Sequence, residues 1–314
     1  MKMISKILIV LLLFACLNFI VDAKLRTRKD KCTCGKTFKN RSSNRILGGS
    51  FASENEFPWQ AYVQSSFGSC GGALISRRHV LTAAHCVVKP GEKLYADMID
   101  IILGTNDLDR AGGGKRFAVS KFLPHPGWDS IGLTGPDYAI LTLSKPAKLS
   151  RKINTVCLPS VSNKHFLGKP GKILSVAGWG KTSTNGDSTK QLKKVKVKVI
   201  AKERCKHYTN RNGDQSLNEK YDSCLKPINI DEGTCRGDSG GPYTMKVNGR
   251  STVVGLVSRG SPVDCSDNSI MAAITPSIRD WIVQNSKGLE DSYCFLSDII
   301  KIHFCVGKVN CRRF

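Results

Sequence analysis

Short runs of β-branched and apolar residues, separated by Gly, Pro, Asn and Asp, occupy most of the chain from residue 46 to residue 283. Residues 172–177 and 252–257 are examples, and each run has the length of one strand. This spacing of strand-like runs and turn residues predicts an all-β fold. Residues 276–284 are interpreted as a single helix near the end of this region.

Residues 194–199 alternate lysine and valine without interruption. Because the side chains of a strand alternate between two faces, the valines are expected to be buried and the lysines to face water. Lys194, Lys196 and Lys198 could form an anion-binding ridge. The favoured interpretation is that they protect an edge strand against pairing with other strands.

The chain has 314 residues, enough for a core of two lobes with additional segments. Its 48 Lys and Arg residues against 25 Asp and Glu residues give a formal charge of +23. Such an excess favours anionic partners, such as polyanionic glycans of the heparin type, acidic lipid or acidic protein. A solvated basic surface with no fixed partner is an equal alternative. No nucleic-acid-binding motif accompanies the charge, so nucleic acid is not an expected partner.

The first residues have the features of a targeting segment. Two lysines precede an apolar run from residue 7 to residue 20, and small residues follow it. This pattern predicts a signal peptide over residues 1–23 and therefore a secreted protein. Removal of Cys16 with it leaves twelve of the thirteen cysteines, an even number that suits disulfides in an extracellular, oxidising compartment. No other apolar run is long enough to span a bilayer.

Two segments flank the strand-rich region. Residues 24–45 are polar and basic, contain Cys32 and Cys34, and are interpreted as a propeptide. Asn40 begins an Asn-Arg-Ser sequon, which predicts glycosylation. Residues 286–314 form a basic C-terminal extension with three cysteines, Cys294, Cys305 and Cys311.

Ser239 is the candidate nucleophile, in the run Gly-Asp-Ser-Gly-Gly-Pro over residues 237–242. A serine hydroxyl needs a neighbouring base and a site that accepts the oxyanion. Gly237 has no Cβ, so its N–H can face an incoming carbonyl beside the N–H of Ser239 and form a two-donor oxyanion hole. The alternative for this run alone is a surface turn.

His85 and Asp137 are the candidate base and orienting carboxylate. His85 ends an apolar, strand-like run, and Asp137 lies two residues before another at residues 139–143. An aspartate there could accept a hydrogen bond from His85, hold its tautomer and stabilise the imidazolium. Each residue alone is more often structural, but the order His, Asp, Ser with these flanking residues is a specific signal.

With these segments the sequence resembles the trypsin/chymotrypsin family of serine proteases, from Ile46 to about residue 285. The resemblance implies two packed six-stranded antiparallel β-barrels with a C-terminal helix and no cofactor or metal. It implies that His85 acts as general base and then acid, that Asp137 orients it, and that Ser239 attacks the peptide bond of a protein or peptide substrate. Digestion, a haemolymph cascade and venom all fit a basic, arthropod-like secreted protease. Further matching motifs are Ile46-Leu47-Gly48-Gly49, Pro58-Trp59, Cys70-Gly71-Gly72, Ala83-Ala84-His85-Cys86, Gly178-Trp179-Gly180 and Asp280-Trp281-Ile282.

The same resemblance implies that the chain is a zymogen. An upstream protease would cut after Arg45, and the freed ammonium of Ile46 would pair with Asp238. Before cleavage this buried carboxylate has no counter-ion, which is costly, and the oxyanion loop has no reason to be ordered. Serpin-type inhibitors are further possible partners.

The resemblance also implies disulfides. Cys157 would bind the propeptide through Cys32 or Cys34, and the pairing of the other propeptide cysteine with the three of the extension stays open. The remaining implied pairs are Cys70 with Cys86, Cys205 with Cys224, and Cys235 with Cys265.

Specificity in the family is set at the floor of the first substrate pocket, here Gly233. Because Gly233 is uncharged, we expect a preference for an uncharged residue before the scissile bond, as in chymotrypsin- or elastase-like enzymes. Ser258 and Gly260 would bind the substrate backbone. Arg259 between them replaces an expected aromatic residue and would favour acidic groups in the neighbouring subsite.

Two alternatives remain. Asp264 or Asp267, in a lengthened loop, could reach the pocket and restore a trypsin-like preference for Arg or Lys. The chain could also be a non-catalytic homologue that uses the fold as a scaffold and binds through its basic surface.

Overall fold

The computed structural model describes residues 33–38, 50–110, 113–129, 135–160, 169–205, 217–229, 232–261 and 264–289. The predicted signal peptide, Asn40, the Arg45–Ile46 junction, Cys32 and the cysteines of the extension lie outside these residues. None of the helices within them is long and apolar enough to cross a membrane.

The first half of the structure is a closed antiparallel barrel, preceded by a short strand, β1 (Ser50–Phe51). Its strand order is β2-β3-β4-β7-β6-β5, and β5 pairs with β2 to close the ring. Its core includes the fully buried side chains of Trp59, Leu74 and Leu141. The strands are β2 (Gln60–Ser65), β3 (Gly68–Leu74), β4 (His79–Thr82), β5 (Asp100–Leu103), β6 (Lys115–Pro124) and β7 (Ala139–Leu143).

The second half is another six-stranded antiparallel barrel, followed by the helix α1 (Pro276–Asn285). The ring order is β9-β10-β13-β12-β11-β8, closed by the pairing of β8 with β9, while β1 pairs with β9 from outside the ring. The strands are β8 (Ile173–Gly178), β9 (Lys193–Ile200), β10 (Asp222–Pro227), β11 (Pro242–Val247), β12 (Arg250–Gly260) and β13 (Ser269–Ala273). The predicted fold of two six-stranded barrels with a C-terminal helix is confirmed.

The helix α1 begins where the sequence changes from strand to capping residues. Thr275 caps it, because its hydroxyl oxygen accepts a hydrogen bond from the backbone N–H of Ile278. Pro276 occupies the first turn, where its missing N–H costs nothing.

The alternating segment forms β9, where Val197 and Val199 are buried and Lys196 and Lys198 are exposed. The expected division into a buried face and a solvent-facing one is correct for these four residues. It was wrong for Lys194, which is half-buried and forms an ion pair with Glu56 at 2.6 Å, and Val195 is also only half-buried. The prediction of an edge strand was wrong, because β9 pairs with β10 on one side and β8 on the other. Closing a sheet into a barrel leaves no free edge for lysines to protect.

Residues 33–38 of the predicted propeptide pack against the barrels. Cys34, not Cys32, forms the disulfide with Cys157. Hydrogen bonds also hold the segment: Asn154 Nδ2 to Thr33 O at 2.7 Å, Gly35 N to Thr155 O at 2.8 Å, Ser251 N to Gly35 O at 2.9 Å, Arg250 to Cys34 O at 3.2 Å, and Phe38 N to Asn55 O at 2.9 Å. The segment is therefore held by more than its disulfide.

The structure also contains three other disulfides between described residues. They join the pairs that the resemblance implies: Cys70–Cys86, Cys205–Cys224 and Cys235–Cys265.

Candidate active site

Strand pairing brings His85 and Asp137 together. His85 lies in a 3₁₀ turn (Ala84–Cys86) that follows β4, and Asp137 lies two residues before β7. Thr82 of β4 is in register with Ala139 of β7, so the turn that follows one strand meets the segment that precedes the other. The disulfide of Cys86 with Cys70 ties the same turn to β3.

The imidazole and the carboxylate form a hydrogen-bonded pair. His85 Nδ1 lies 2.8 Å from Asp137 Oδ2, and the backbone N–H of His85 donates to Oδ1 at 3.1 Å. Ser258 of the second barrel donates its hydroxyl to Asp137 Oδ2 at 2.6 Å. Tyr138 donates from the first barrel to the carbonyl of Ala272 in the second. The pair is therefore held between the two barrels.

The pair shifts the pKa of both of its members. Burial alone would raise the pKa of Asp137, but the charge of His85 and the hydrogen bonds from His85 and Ser258 outweigh it and lower this pKa. Burial alone would lower the pKa of His85, but the charge and hydrogen bond of Asp137 raise it. When the imidazole is neutral, Nδ1 can donate to the ionised carboxylate, which leaves Nε2 as the proton acceptor.

Ser239 lies in a turn that is anchored to strands of both barrels. The backbone N–H of Gly71 in β3 donates to the carbonyl of Ser239 at 2.7 Å, and that of Gly240 donates to Val257 of β12 at 2.7 Å. Cys86 Sγ lies 3.8 Å from the same carbonyl, so the turn meets the residue that follows His85. The Ser239 hydroxyl is half-buried and forms no hydrogen bond with any residue that the structure describes.

The two predicted oxyanion donors also have free N–H groups. Within the described ranges, the backbone N–H groups of Gly237 and Ser239 donate no hydrogen bond, whereas those of Asp238, Gly240 and Gly241 all do. Gly237 has φ +98°, in the left-handed region that glycine adopts without strain. Two unpaired N–H groups beside an unpaired hydroxyl are the arrangement that a developing oxyanion requires.

Asp238 is buried without a counter-ion. Its two carboxylate oxygens accept hydrogen bonds from the backbone N–H groups of Gly180 and Cys235, both at 2.9 Å. No Lys, Arg or His in the described part of the chain forms an ion pair with it. Burial raises its pKa to about 6, although the two amides oppose the shift. A cavity of about 40 Å³ adjoins the carboxylate and is also lined by Gly180 and Lys193.

Gly233, the expected pocket floor, does not face open space. A Cβ built on Gly233 would overlap the carbonyl oxygen of Cys265, so only glycine fits here. The next residue, Thr234, belongs to a buried cluster of three hydroxyls, which we call the hydroxyl cluster: Thr234, Tyr243 and Ser269. Tyr243 Oη lies 3.2 Å from Thr234 Oγ1 and 3.4 Å from Ser269 Oγ.

Sequence reasoning missed Tyr243 and Ser269. They lie on different strands, β11 and β13, and neither belongs to a recognisable motif. Burial raises the pKa of Tyr243 to about 12, so the hydroxyl cluster is uncharged at neutral pH.

The two aspartates of the lengthened loop bond within that loop. Asp264 Oδ1 accepts from the N–H of Ser266 at 2.8 Å and from its hydroxyl at 2.7 Å. Asp267 Oδ1 accepts from the N–H of Asn268 at 2.6 Å. Both carboxylates are exposed to solvent.

Arg259 forms an ion pair with the buried carboxylate of Asp222. Its charge is therefore largely compensated inside the protein. This weakens the expectation that Arg259 attracts acidic groups of a substrate.

The described residues contain one group of three potential metal ligands, namely Cys70, His85 and Cys86. Because the two cysteines are joined in a disulfide, neither can supply a thiolate.

Comparison with models of protein families shows to which family the chain belongs. The family model named Trypsin matches residues 46–282, about three quarters of the sequence. The matched region begins at the predicted activation site and contains both barrels with the His85–Asp137 pair and Ser239. A match of this extent supports a serine endopeptidase in general terms. The chain belongs to the trypsin family.

Proposed function

We propose that this chain is a secreted serine endopeptidase that is latent until the Arg45–Ile46 bond is cut. The observation that carries the proposal is the hydrogen-bonded pair of His85 Nδ1 and the buried Asp137 Oδ2, 2.8 Å apart, beside the anchored turn of Ser239. Four disulfides between described residues, together with the family, are consistent with an extracellular protein.

In the proposed reaction, Ser239 Oγ attacks the carbonyl carbon of the scissile bond while His85 Nε2 takes its proton. Asp137 stays ionised, keeps Nδ1 protonated and stabilises the imidazolium. The N–H groups of Gly237 and Ser239 hold the negative oxygen of the tetrahedral intermediate. His85 then gives the proton to the leaving amine, and water repeats the sequence to release the acid product.

The test of this function is labelling by a fluorophosphonate probe, which reacts only with an activated serine. We expect the protein cut after Arg45 to be labelled at Ser239 and the uncut protein to be labelled much more slowly. If the cut, folded protein is not labelled, the chain is a binding homologue of the kind described above.

Latency follows from the isolated charge of Asp238. Before cleavage the carboxylate has two amide donors but no cation among the described residues, and its pKa is about 6. A freed ammonium at Ile46 would supply the cation, and the adjoining cavity of about 40 Å³ is large enough for such a group. Pairing would order the backbone on both sides of Ser239.

The raised pKa of Asp238 predicts a pH-dependent stability of the uncut protein. With a pKa of 3.8 when unfolded and about 6 when folded, the group is protonated in both states below about pH 4. As pH rises to 6, the folded state holds a proton that the unfolded state has lost, so ionisation destabilises the fold by about 3 kcal/mol. Above pH 6 the penalty is constant.

The measurement is the thermal midpoint of uncut protein between pH 4 and pH 7, compared with Asp238→Asn. The wild type should lose stability relative to the variant across this range, because other carboxylates titrate equally in both. Parallel curves for the two proteins would show that Asp238 ionises without penalty.

We also propose an uncharged first substrate pocket. The hydroxyl cluster is neutral, and both loop aspartates are exposed and bonded within their loop. A buried Lys or Arg guest would have no counter-ion, which disfavours trypsin-like cleavage.

The basic surface is proposed as a site for polyanionic glycans. Lys196 and Lys198 are exposed on β9, and Lys226 of β10 stands directly opposite Lys198. None of the three pairs with an acidic residue that the structure describes. Adjacent like charges repel each other, and a polyanion would relieve that repulsion.

The proposed glycan site predicts how strongly the protein binds to a heparin column. Changing Lys196, Lys198 and Lys226 together to Gln should lower the salt concentration that elutes the protein. The matched control changes three exposed lysines of the first barrel to Gln, Lys115, Lys121 and Lys145, with the same loss of charge. Because salt screens charges over about 8 Å, a real site depends on the lysines that lie next to the polyanion. An equal effect of both triple variants would therefore mean that only net charge matters and would refute the site.

A further inference from the structure

The hydroxyl cluster lies beside the strand that would bind the substrate backbone. Gly260 of β12 is in register with Ser269 of β13, so the strand that would bind substrate backbone runs beside Ser269. The nearest heavy atom to a Cβ built on Gly260 is the carbonyl oxygen of Thr234, at 4.0 Å. Thr234 of the segment before Ser239 and Ser269 of β13 therefore both lie near Gly260.

Tyr243 contacts Thr234 and Ser269 from the core of the second barrel. It follows Pro242 in β11, is fully buried and belongs to the core cluster of the second barrel. Its phenol oxygen reaches out of this apolar core to both Thr234 Oγ1 and Ser269 Oγ. The Tyr243 ring therefore packs in the barrel core directly behind the side chains of Thr234 and Ser269.

We propose that Tyr243 is a specificity-determining residue, whose ring limits the depth of the first substrate pocket and whose hydroxyl, with Thr234 and Ser269, forms an uncharged polar floor. The proposal rests on the proposed peptidase function. It assigns the pocket to small uncharged side chains such as Ala, Ser, Thr and Val. Large aromatic guests are excluded by the ring, and cationic guests by the lack of a carboxylate.

The three hydroxyls also leave one O–H proton without an acceptor inside the cluster. Three hydroxyl groups joined by two hydrogen bonds use two of their three protons. The third can be donated to the hydroxyl of a Ser or Thr guest, or to a water molecule above a smaller guest. Small polar guests should therefore be accepted about as well as Ala.

The experiment measures kcat/KM of activated protein on peptides that differ only at the residue before the scissile bond: Ala, Thr, Phe and Arg. For the wild type we expect Ala and Thr to exceed Phe and Arg by at least tenfold. Tyr243→Val deepens the pocket and should raise the Phe to Ala ratio by at least tenfold, since extra apolar contact of this size changes rates by 10- to 200-fold. Tyr243→Phe keeps the ring and should keep Phe disfavoured.

Ser269→Asp tests the same floor without removing core volume. The new carboxylate can accept a hydrogen bond from Tyr243, and it should raise the Arg to Ala ratio by at least a hundredfold. Thr244→Val is the matched control, because Thr244 is the next residue of β11 and bonds to Ser175 O, away from the hydroxyl cluster. Its order of preference should equal that of the wild type.

Fluorophosphonate labelling of each variant separates the outcomes. If the activated wild type is not labelled, the peptidase function fails and this proposal with it. If labelling is normal but Phe or Arg is the best guest of the wild type, or neither Tyr243→Val nor Ser269→Asp changes the order, Tyr243 does not form the floor. Should Tyr243→Val fail to fold and remain unlabelled, Ser269→Asp decides alone.

Discussion

Ser239→Ala is expected to reduce kcat of the activated protein by a factor on the order of 10⁵–10⁶, with an unchanged thermal midpoint. The rate effect follows because the variant has no nucleophile to form the covalent intermediate, and members of such a unit fail together. Stability is unaffected because the hydroxyl of Ser239 forms no hydrogen bond with a described residue. The substitution removes only Oγ from a half-buried side chain, so little packing is lost.

The measurement combines peptide hydrolysis with thermal unfolding of both proteins after cleavage at Arg45. Ser120→Ala is the matched control, because Ser120 is an exposed serine of β6 in the first barrel. It should hydrolyse peptides at the wild-type rate. Hydrolysis by Ser239→Ala at the wild-type rate, in a preparation free of other proteases, would remove Ser239 from the mechanism.

Arg45→Gln is expected to leave the protein inactive after treatment with a protease that cuts after arginine. Without a free ammonium at Ile46, Asp238 keeps its raised pKa, and its neighbours Gly237 and Ser239 lack the ion pair that would order them. Arg41→Gln is the control, because it removes a nearby arginine and leaves the junction intact. That variant should be activated like the wild type.

The cut propeptide should stay attached through Cys34. Because Cys34 is bonded to Cys157, non-reducing gels should show no loss of mass on activation, and reducing gels should release a small fragment. The hydrogen bonds of residues 33–38 should also hold the segment in place for some time after the disulfide is reduced.

Full activity of the Arg45→Gln variant while the peptide bond before Ile46 is still intact would refute activation by cleavage.

The local patterns of the sequence were sufficient for the fold class and for the candidate residues. A two-residue period and turn chemistry depend on neighbours in the chain, so strands such as β8 and the helix α1 were visible without a structure. His85, Asp137 and Ser239 each lie in a recognisable run, and the structure places the first two 2.8 Å apart.

Three features could be read only from the tertiary structure, because they depend on contacts between residues that are distant in the chain. Lys198 alternates with valine in any environment, but whether β9 is an edge depends on which strands lie beside it. Cys32 and Cys34 are equivalent by spacing, and packing of residues 33–38 selects Cys34. Tyr243 meets Ser269 across 26 residues with no motif at either end. Periodicity is a property of neighbouring residues, whereas partners are chosen by barrel closure and long-range packing, which one sequence does not contain in readable form.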